Sequence, residues 1–318
     1  MTKAANSRAP WSRRRGRVLG VFSVLVALLL VLHSVVPGTP GHVGSLLETF
    51  LPWLGLAVPV LLVLAVVRRS YVALASTLLP AAAWLALFGG ALLPGDDDSP
   101  HTLTVLQHNV SDQNPDPAGT VRTLLGADPE LVALEELTPA ALPAYEAALS
   151  ANYPHHATQG TVGLWSKYPL SGIRQVDVKP RAVGEGWDRG LRATARTAQG
   201  EVAVYVAHLP SVRLGLSGGF SAGLRDESAV LLGAALAAEP LDRVILLGDL
   251  NSTLDDRGLE PVSSQLDGPE FDFAFSWPAK LPLARIDQVM ARSATVTRVW
   301  TLPATGSDHL PVAARIRF

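Results

Sequence analysis

The sequence predicts a chain in two parts: a membrane anchor over residues 1–94 and one α/β or α+β domain over residues 95–318. Three observations carry this. The first 94 residues hold three apolar runs of bilayer-spanning length. From residue 101 onward, short apolar strands alternate with helix-like stretches. No internal repeat or low-complexity linker interrupts those roughly 220 residues, as expected of one domain. The 318-residue chain has a formal net charge of −2 and no cysteine, which excludes disulfide staples. Its mean hydropathy of +0.26 is high for a soluble protein, and the apolarity sits at the front.

The expected spans are "VLGVFSVLVALLLVLHSVV" (18–36), "FLPWLGLAVPVLLVLAVV" (50–67) and "YVALASTLLPAAAWLALFGGALL" (71–93). The first has a basic flank, "SRRRGR" (12–17), as a signal peptide would. Its apolar run exceeds the roughly 7–15 residues of a signal core, and two further runs follow it. A buried helical bundle is the other reading. Lys3, Arg8, Arg13, Arg14, Arg15 and Arg17 precede the first run, Arg68 and Arg69 lie between the second and third, and the acidic "GDDDSP" (95–100) follows the third. This bias puts the N-terminus in the cytoplasm and the domain after residue 94 outside it. Residues 1–94 carry eight Lys/Arg against one acid (Glu48), a net of +7; residues 95–318 carry 18 against 27, a net of −9. An acidic outer domain is a poor general binder of polyanions, which disfavours nucleic acid as a partner.

In the outer domain, "TLTVLQ" (102–107), "ELVAL" (130–134), "VGLWS" (162–166), "VAVYVA" (202–207), "RVILLG" (243–248), "RIDQVM" (285–290) and "PVAARIRF" (311–318) read as strands. Helices are expected over 118–127, over 138–150 with Thr138 as N-cap and Pro139 at the first position, and over 225–239 with acids in the first turn.

The strand ends are polar. Asn109, Glu135-Glu136, His208 and Asp249-x-Asn251 follow strands, Asp287 lies inside one, and Asp308-His309 precede the last. If the chain stays extended after 249, Asp249 and Asn251 face the same side. Each residue has an ordinary reading alone. Asn109 closes a turn, the glutamates start a helix, His208 is a satisfied core histidine, Asp287 pairs with Arg285, and Asp308-His309 is loop. Together they supply what cleaving a phosphate ester needs. A hard cation such as Mg²⁺ takes one or two carboxylates, here Glu136 and Asp308, plus substrate oxygens. Asp249 is placed to accept a proton from water. Asn109, Asn251, His208 and His309 offer donors to developing negative charge. Asp287 is available to hold the His309 ring and raise its pKa.

The ordered set "QHN", "ALEEL", "GLWSKYP", "VAHL", "GDLN", "RIDQVM" and "SDHLPV" resembles the endonuclease/exonuclease/phosphatase superfamily over about residues 101–318. The resemblance implies a four-layer sandwich, two β-sheets face to face with helices outside. It implies Glu136 as the main metal ligand, assisted by Asn109 and Asp308, with Mg²⁺ or Mn²⁺ as the ion. Asp249 would orient or deprotonate water, Asn251 and His208 would bind phosphate, and His309 with Asp287 would bind the scissile phosphate or protonate the leaving group. The superfamily motif usually has Gln where this chain has Glu135, and the extra charge puts metal affinity in question. Arg213 and Arg225 are further candidates to approach phosphate, or are solvated surface side chains. Trp165, Trp187, Phe220 and Trp277 are given no role.

The chain is also similar to membrane proteins of this superfamily, actinobacterial in type, associated with teicoplanin resistance. Three readings follow: an extracytoplasmic phosphatase or phosphodiesterase on a lipid-linked phosphate or pyrophosphate, an extracellular nuclease on DNA or RNA, and an inactive membrane sensor. The complete residue set argues against the last.

Overall fold

The computed structural model describes residues 16–92, 101–215, 219–269 and 273–318. The basic flank before residue 16 and the acidic stretch at 95–100 therefore lie outside the described residues. The chain divides into two compact units. One comprises Met1–Val36 and Phe50–Leu92, the other Pro37–Thr49 and Leu93–Phe318. Residues 37–49, which lie between the first two expected spans and so within the expected anchor, thus pack with the second unit.

The first unit holds helix α1 (Arg17–Val31). The second unit contributes α2 (Val43–Thr49). Back in the first unit follow a 3-10 turn (Leu51–Leu56), α3 (Ala57–Val67), α4 (Tyr71–Ser76), α5 (Leu78–Phe88) and a closing 3-10 turn (Gly89–Leu92). Gly16 approaches Ser70 so closely that a Cβ would lie 2.1 Å from its hydroxyl. Valines and leucines point outward from these helices: Val18, Val21, Val60, Val63, Leu78 and Leu85 are all exposed. Three spanning helices were expected. Among the described residues one helix, Tyr71–Leu92 with 22 residues, is long and apolar enough alone. Arg17–Val31 has 15 helical residues, about 22 Å at 1.5 Å per residue, against a hydrocarbon core of about 30 Å. The middle run passes only when Leu51–Val67 is joined to Val43–Thr49 across a break. The correction comes from helix length: the first run stays apolar beyond its helix, which ends at Val31, and Leu51–Val67 does not pass alone.

In the second unit the strands are β1 (Leu103–Asn109), β2 (Leu131–Glu135), β3 (His155–Gln159), β4 (Val162–Ser166), β5 (Leu170–Gln175), β6 (Gly190–Thr197), β7 (Gly200–Ala207), a short ribbon β8 (Leu214–Gly215) and β9 (Gly219–Phe220), β10 (Val244–Asp249), β11 (Asp287–Arg292), β12 (Thr295–Thr301) and β13 (Val312–Arg317). The helices are α6 (Pro117–Leu125), α7 (Leu142–Leu149), α8 (Gly223–Ala237) and α9 (Glu260–Ser263). One six-stranded sheet has the order β12-β13-β1-β2-β4-β3, and a five-stranded sheet has the order β11-β10-β7-β6-β5. Both are mixed: β1 runs parallel to β2 and β7 to β10, the other pairs antiparallel.

The layers follow from period-2 alternation. Leu103 and Val105 of β1 and Leu131 and Ala133 of β2 meet Val204, Val206, Ile245 and Leu247 of the other sheet. The alternate residues face outward. Leu106 and Leu134 pack under α6 and α7 with Val121, Leu124, Tyr145 and Leu149. Tyr205 and Leu246 pack under α8 and α9 with Leu232, Leu236 and Val262. Both faces of the central strands are covered, so their burial is continuous. The result is the expected helix-sheet-sheet-helix sandwich.

Seven expected strands are present within two residues at each end. β3, β5, β6 and β12 of the two large sheets, and the β8–β9 ribbon, were not read from the sequence. Sequences such as "HHATQ" and "GLRATART" carry too few apolar residues to signal a strand. Asp116, rather than a later residue, caps α6 by accepting from the Gly119 amide at 2.8 Å. The helix expected from Thr138 starts at Leu142. Thr138 instead closes a turn, accepting from the Ala141 amide at 3.1 Å.

The polar residues of β6 are buried because a carboxylate meets them. Arg192 donates to Glu239 through Nε at 2.9 Å and Nη2 at 2.8 Å, and the Tyr205 hydroxyl donates to the same carboxylate at 2.8 Å. Burial alone would raise the Glu239 pKa, but these donors and the Leu241 amide hold it below the ordinary value. Glu239→Gln should therefore destabilise the domain by on the order of 3 kcal/mol at neutral pH, because it strands the Arg192 charge. A carboxylate with a depressed folded pKa stabilises above its unfolded pKa and loses that contribution as pH falls through the folded one. Thermal melts should show the gap between wild type and variant at full size at pH 7 and closing below about pH 4. A gap constant with pH would contradict this.

Candidate active site

The topology brings the polar strand ends to one edge. β1, β2, β7 and β10 present their C-terminal ends there. β11 and β13 run antiparallel to their neighbours, so they present their N-terminal ends. This is why Asn109, Glu135-Glu136, His208 and Asp249 follow strands, whereas Asp287 starts β11 and Asp308-His309 precede β13. Register puts Asn109 opposite Glu135 and Asp249 opposite Asp287.

The glycine of "GDLN" has a steric cause. A Cβ on Gly248 would lie 1.9 Å from the Ala207 carbonyl oxygen. Its absence lets the ends of β7 and β10 close up, and His208 Nε2 sits 3.6 Å from Asp249 Oδ2.

Asp287 is wholly buried and accepts three hydrogen bonds: from Gln107 Nε2 to Oδ1 at 2.5 Å, from the Ser276 hydroxyl to Oδ2 at 2.5 Å, and from His309 Nδ1 to Oδ2 at 2.8 Å. Burial alone would lift its pKa; the His309 charge and the three donors hold it below the ordinary carboxylate range. Burial would likewise lower the His309 pKa, but Asp287 and Asp249 outweigh it and push it up to about 10. His309 is therefore an imidazolium, its Nε2 lying 3.8 Å from Asp249 Oδ2. Asp249 accepts from Asn109 Nδ2 at 3.0 Å and from the Asn251 amide at 2.9 Å. Burial and the Asp287 charge still raise its pKa from the ordinary value, against the His309 charge and these two donors. The alternative partner for Asp287, Arg285, is not the one found in these three bonds. The His309 main chain is tied in too. Its amide donates to the Ser307 hydroxyl at 3.0 Å, which donates to the Asn109 carbonyl at 2.6 Å.

Glu136 leaves the strand alternation through a left-handed backbone, φ +60°. Its side chain is 28% exposed and accepts from the Asp112 amide at 3.1 Å. It lines a cleft of about 670 Å³ with Asp112, Pro278, Lys280 and the exposed Asp308. Glu135 is the opposite case. It is fully buried, neither carboxyl oxygen has a hydrogen-bond partner among the described residues, and burial with the Asp287 and Asp249 charges raises its pKa well above the ordinary value. The raised pKa favours the neutral form of Glu135, the form nearest to the Gln usual at this position.

Two donor sets bear on a divalent cation. Asp249, Asp287 and His309 offer ligand atoms within 4.8 Å of one another. That trio is the less suited, since Asp287 already accepts from three donors and one of them is the His309 ring itself. Glu136 and Asp308 are hard oxygen donors around an open cleft, which suits Mg²⁺, whereas Asn109 is buried and its Oδ1 accepts from the Ser111 amide at 3.0 Å.

Asn251 does not continue the extended chain; its φ is +48°. The turn folds its amide back onto Asp249 while its Nδ2 donates to the Leu209 carbonyl at 3.0 Å. His208 is 1% exposed, and burial, with Arg189 and His309 nearby, lowers its pKa well below the ordinary value, so the ring is neutral. The Arg189 Nη1 lies 3.2 Å from its Nδ1 and 3.3 Å from its Nε2. Arg189 also stacks on Trp187, 5.1 Å from the ring centroid. This cation beside Asp249 and Glu136 escaped the sequence analysis; "WDRG" lies before an unread strand, so nothing marked it as a strand end. Arg225 does not approach the cleft: it is 1% exposed and bound to Asp256 at 2.7 Å. Arg213 is exposed. Trp165 is core, Phe220 lies in the β8–β9 ribbon, and Trp277 is 37% exposed beside Pro278.

A family model described as "Endonuclease/Exonuclease/phosphatase family" matches residues 106–309. No curated protein matches the chain. Among solved structures, sphingomyelinase C from Streptomyces griseocarneus is similar with a TM-score of 0.51 and 20% identity, over 68% of this chain and 99% of that one. Danio rerio TDP2 complexed with a single-strand DNA product gives 0.56 and 16%, over 68% and 99%. Staphylococcus aureus beta toxin with bound magnesium ions gives 0.52 and 15%, over 67% and 99%. At these identities the likeness is one of fold.

Gly248→Ala should cost about 1–3 kcal/mol, the range for overpacking a tight contact, because β7 and β10 must part. It should also lower activity, since His208 and Asp249 ride on those strand ends. A melting temperature and turnover unchanged from wild type would refute this account of the glycine.

Proposed function

The chain belongs to the Endonuclease/Exonuclease/phosphatase family, and from that premise we propose that it is a membrane-anchored, Mg²⁺-dependent hydrolase of a lipid-linked phosphate or pyrophosphate, working outside the cytoplasm. The observation that carries the hydrolase is the Asp287–His309 pair aimed at Asp249 beside the Glu136–Asp308 cleft. Three features support the lipid. Trp277 and Leu281, 37% and 65% exposed, flank the cleft-lining Pro278–Lys280. The N-terminal helices turn valine and leucine side chains outward. The net charge of −9 over residues 95–318 opposes a polyanion. The Lys/Arg bias supports a cytoplasmic N-terminus. The likeness to membrane proteins associated with teicoplanin resistance supports a polyprenyl phosphate, pyrophosphate or cell-wall precursor as the substrate class.

Glu136 and Asp308 would hold the Mg²⁺, which when bound polarises the phosphate oxygens as a Lewis acid. Asn251 Nδ2, neutral His208 and Arg189 donate to the phosphate and fix its orientation. Asp249 takes a proton from the attacking water, whose oxygen bonds to phosphorus. As the phosphorus–oxygen bond to the leaving group breaks, His309 Nε2 gives that oxygen its proton. Asp287 keeps the His309 ring aligned and charged for this.

Asp249→Asn and His309→Ala should each lower turnover by about 10²–10⁴ while the domain stays folded, the range for losing a general base or acid. A near-normal rate in either folded variant would remove that residue from the mechanism. For the substrate, the full chain in detergent should release phosphate from a polyprenyl pyrophosphate with Mg²⁺, stop with EDTA, and leave plasmid DNA intact. Nicked plasmid with untouched lipid would make it a tethered nuclease instead.

A further inference from the structure

Residues 37–49 stand between two apolar stretches, yet they are built into the catalytic unit. The docking is polar and buried. In α2, Gly44, Ser45, Glu48 and Thr49 are all buried. The Ser45 hydroxyl donates to Asp256 Oδ2 at 2.5 Å. Arg225 Nη2 donates to both Ser45 Oγ, at 3.1 Å, and Asp256 Oδ2, at 2.7 Å. Glu48 receives Arg257 three times: from the backbone amide at 3.0 Å, from Nε at 2.9 Å and from Nη2 at 2.7 Å. The Gly41 carbonyl accepts from the Phe220 amide at 2.8 Å.

This network ends at the active site. Arg225 Nη1 donates to the Asn251 carbonyl at 3.1 Å. Asn251 is the left-handed residue whose amide is folded onto Asp249 and whose side chain reaches Leu209. Asn visits this backbone more readily than other non-glycine residues, so what fixes the turn is the set of contacts made by its surroundings. The Arg225 guanidinium is one of those surroundings, and Ser45 and Glu48 fix the Asp256–Arg257 turn against which it is clamped.

We infer that Ser45 and Glu48 are positioning residues for catalysis, acting through Arg225 and Asp256 on Asn251, so that the segment between the first two apolar stretches completes the active site. The inference rests on the reading of Asn251 as a phosphate-binding group. It also means that a fragment starting at residue 95 lacks part of the catalytic unit, whose Arg225 and Asp256 would lose a buried partner.

The test is a double-mutant cycle on the full chain in detergent, with Mg²⁺ and bis(4-nitrophenyl) phosphate as the probe. Ser45→Ala and Glu48→Gln should each lower kcat/KM about tenfold in the wild-type background and less than twofold when Asn251 is Ala, since coupled residues are non-additive. Ser45→Thr, which keeps the hydroxyl, should restore most of the rate. Equal losses in both backgrounds, or wild-type kcat/KM in the single variants, would overturn the inference. Should Asn251→Ala alone retain the wild-type rate, the phosphate-binding reading fails. Amide hydrogen exchange then decides the positioning separately. In the substrate-free chain, the segment 249–256 should exchange faster in Glu48→Gln, and unchanged exchange would sink the positioning role.

Discussion

The buried Asp287 carboxylate is the constraint on which the site depends. It starts β11 in one sheet, takes a hydrogen bond from Gln107 on β1 in the other, and takes two more from Ser276 and His309. A buried anion is tolerated only when its lone pairs are satisfied and a counter-charge is near. The three donors and the imidazolium meet that condition. They also lock the two sheets and the 307–309 loop in one relation. Asp287 and Asp249 raise the His309 pKa against its burial, which favours the charged ring, and Asp249, 3.8 Å away, feels both that charge and that of Asp287.

Around this buried core the acids are sorted by exposure. Burial and the nearby acids raise the pKa of Glu135, whose carboxyl oxygens find no partner among the described residues; Glu136, one residue on, turns out at φ +60° toward the cleft. Two adjacent residues of one type thus have different chemistry because a single backbone dihedral gives them different solvent. His208 and His309 form a second such pair. The first sits beside the Arg189 guanidinium and is neutral; the second sits beside Asp287 and is charged.

The boundary between anchor and catalytic unit is drawn by contacts, not by sequence position. Glu48 is the single acid in the first 94 residues, and it is spent on Arg257. Composition placed residue 48 in a loop of the anchor because its neighbours on both sides are apolar. What ties it to the second unit is a partner 209 residues away.

Local alternation and the order of polar residues were enough to read one α/β or α+β domain, seven of its strands, and Asn109, Glu136, His208, Asp249, Asn251, Asp287 and Asp308-His309 as one set; the sandwich itself came from the family resemblance those motifs carry. Those signals are local: a central strand must be apolar, and a residue that ends one must be polar for a reason. Tertiary structure alone decided the rest. The polar strand β6 is buried only because Glu239 arrives from the end of α8 to meet Arg192. Arg189 joins the site because His208 and Trp187 hold it there, and Arg225 leaves it because Asp256 binds it. The apolar runs at 18–36 and 50–67 looked like full spans, yet the first helix ends at Val31 and the second run gives Leu51–Leu56 to a 3-10 turn, since composition does not fix the hydrogen-bonding pattern. Ser45 and Glu48 belong to the catalytic unit through partners about 200 residues away, and a pairing over that distance leaves no mark on the neighbouring sequence.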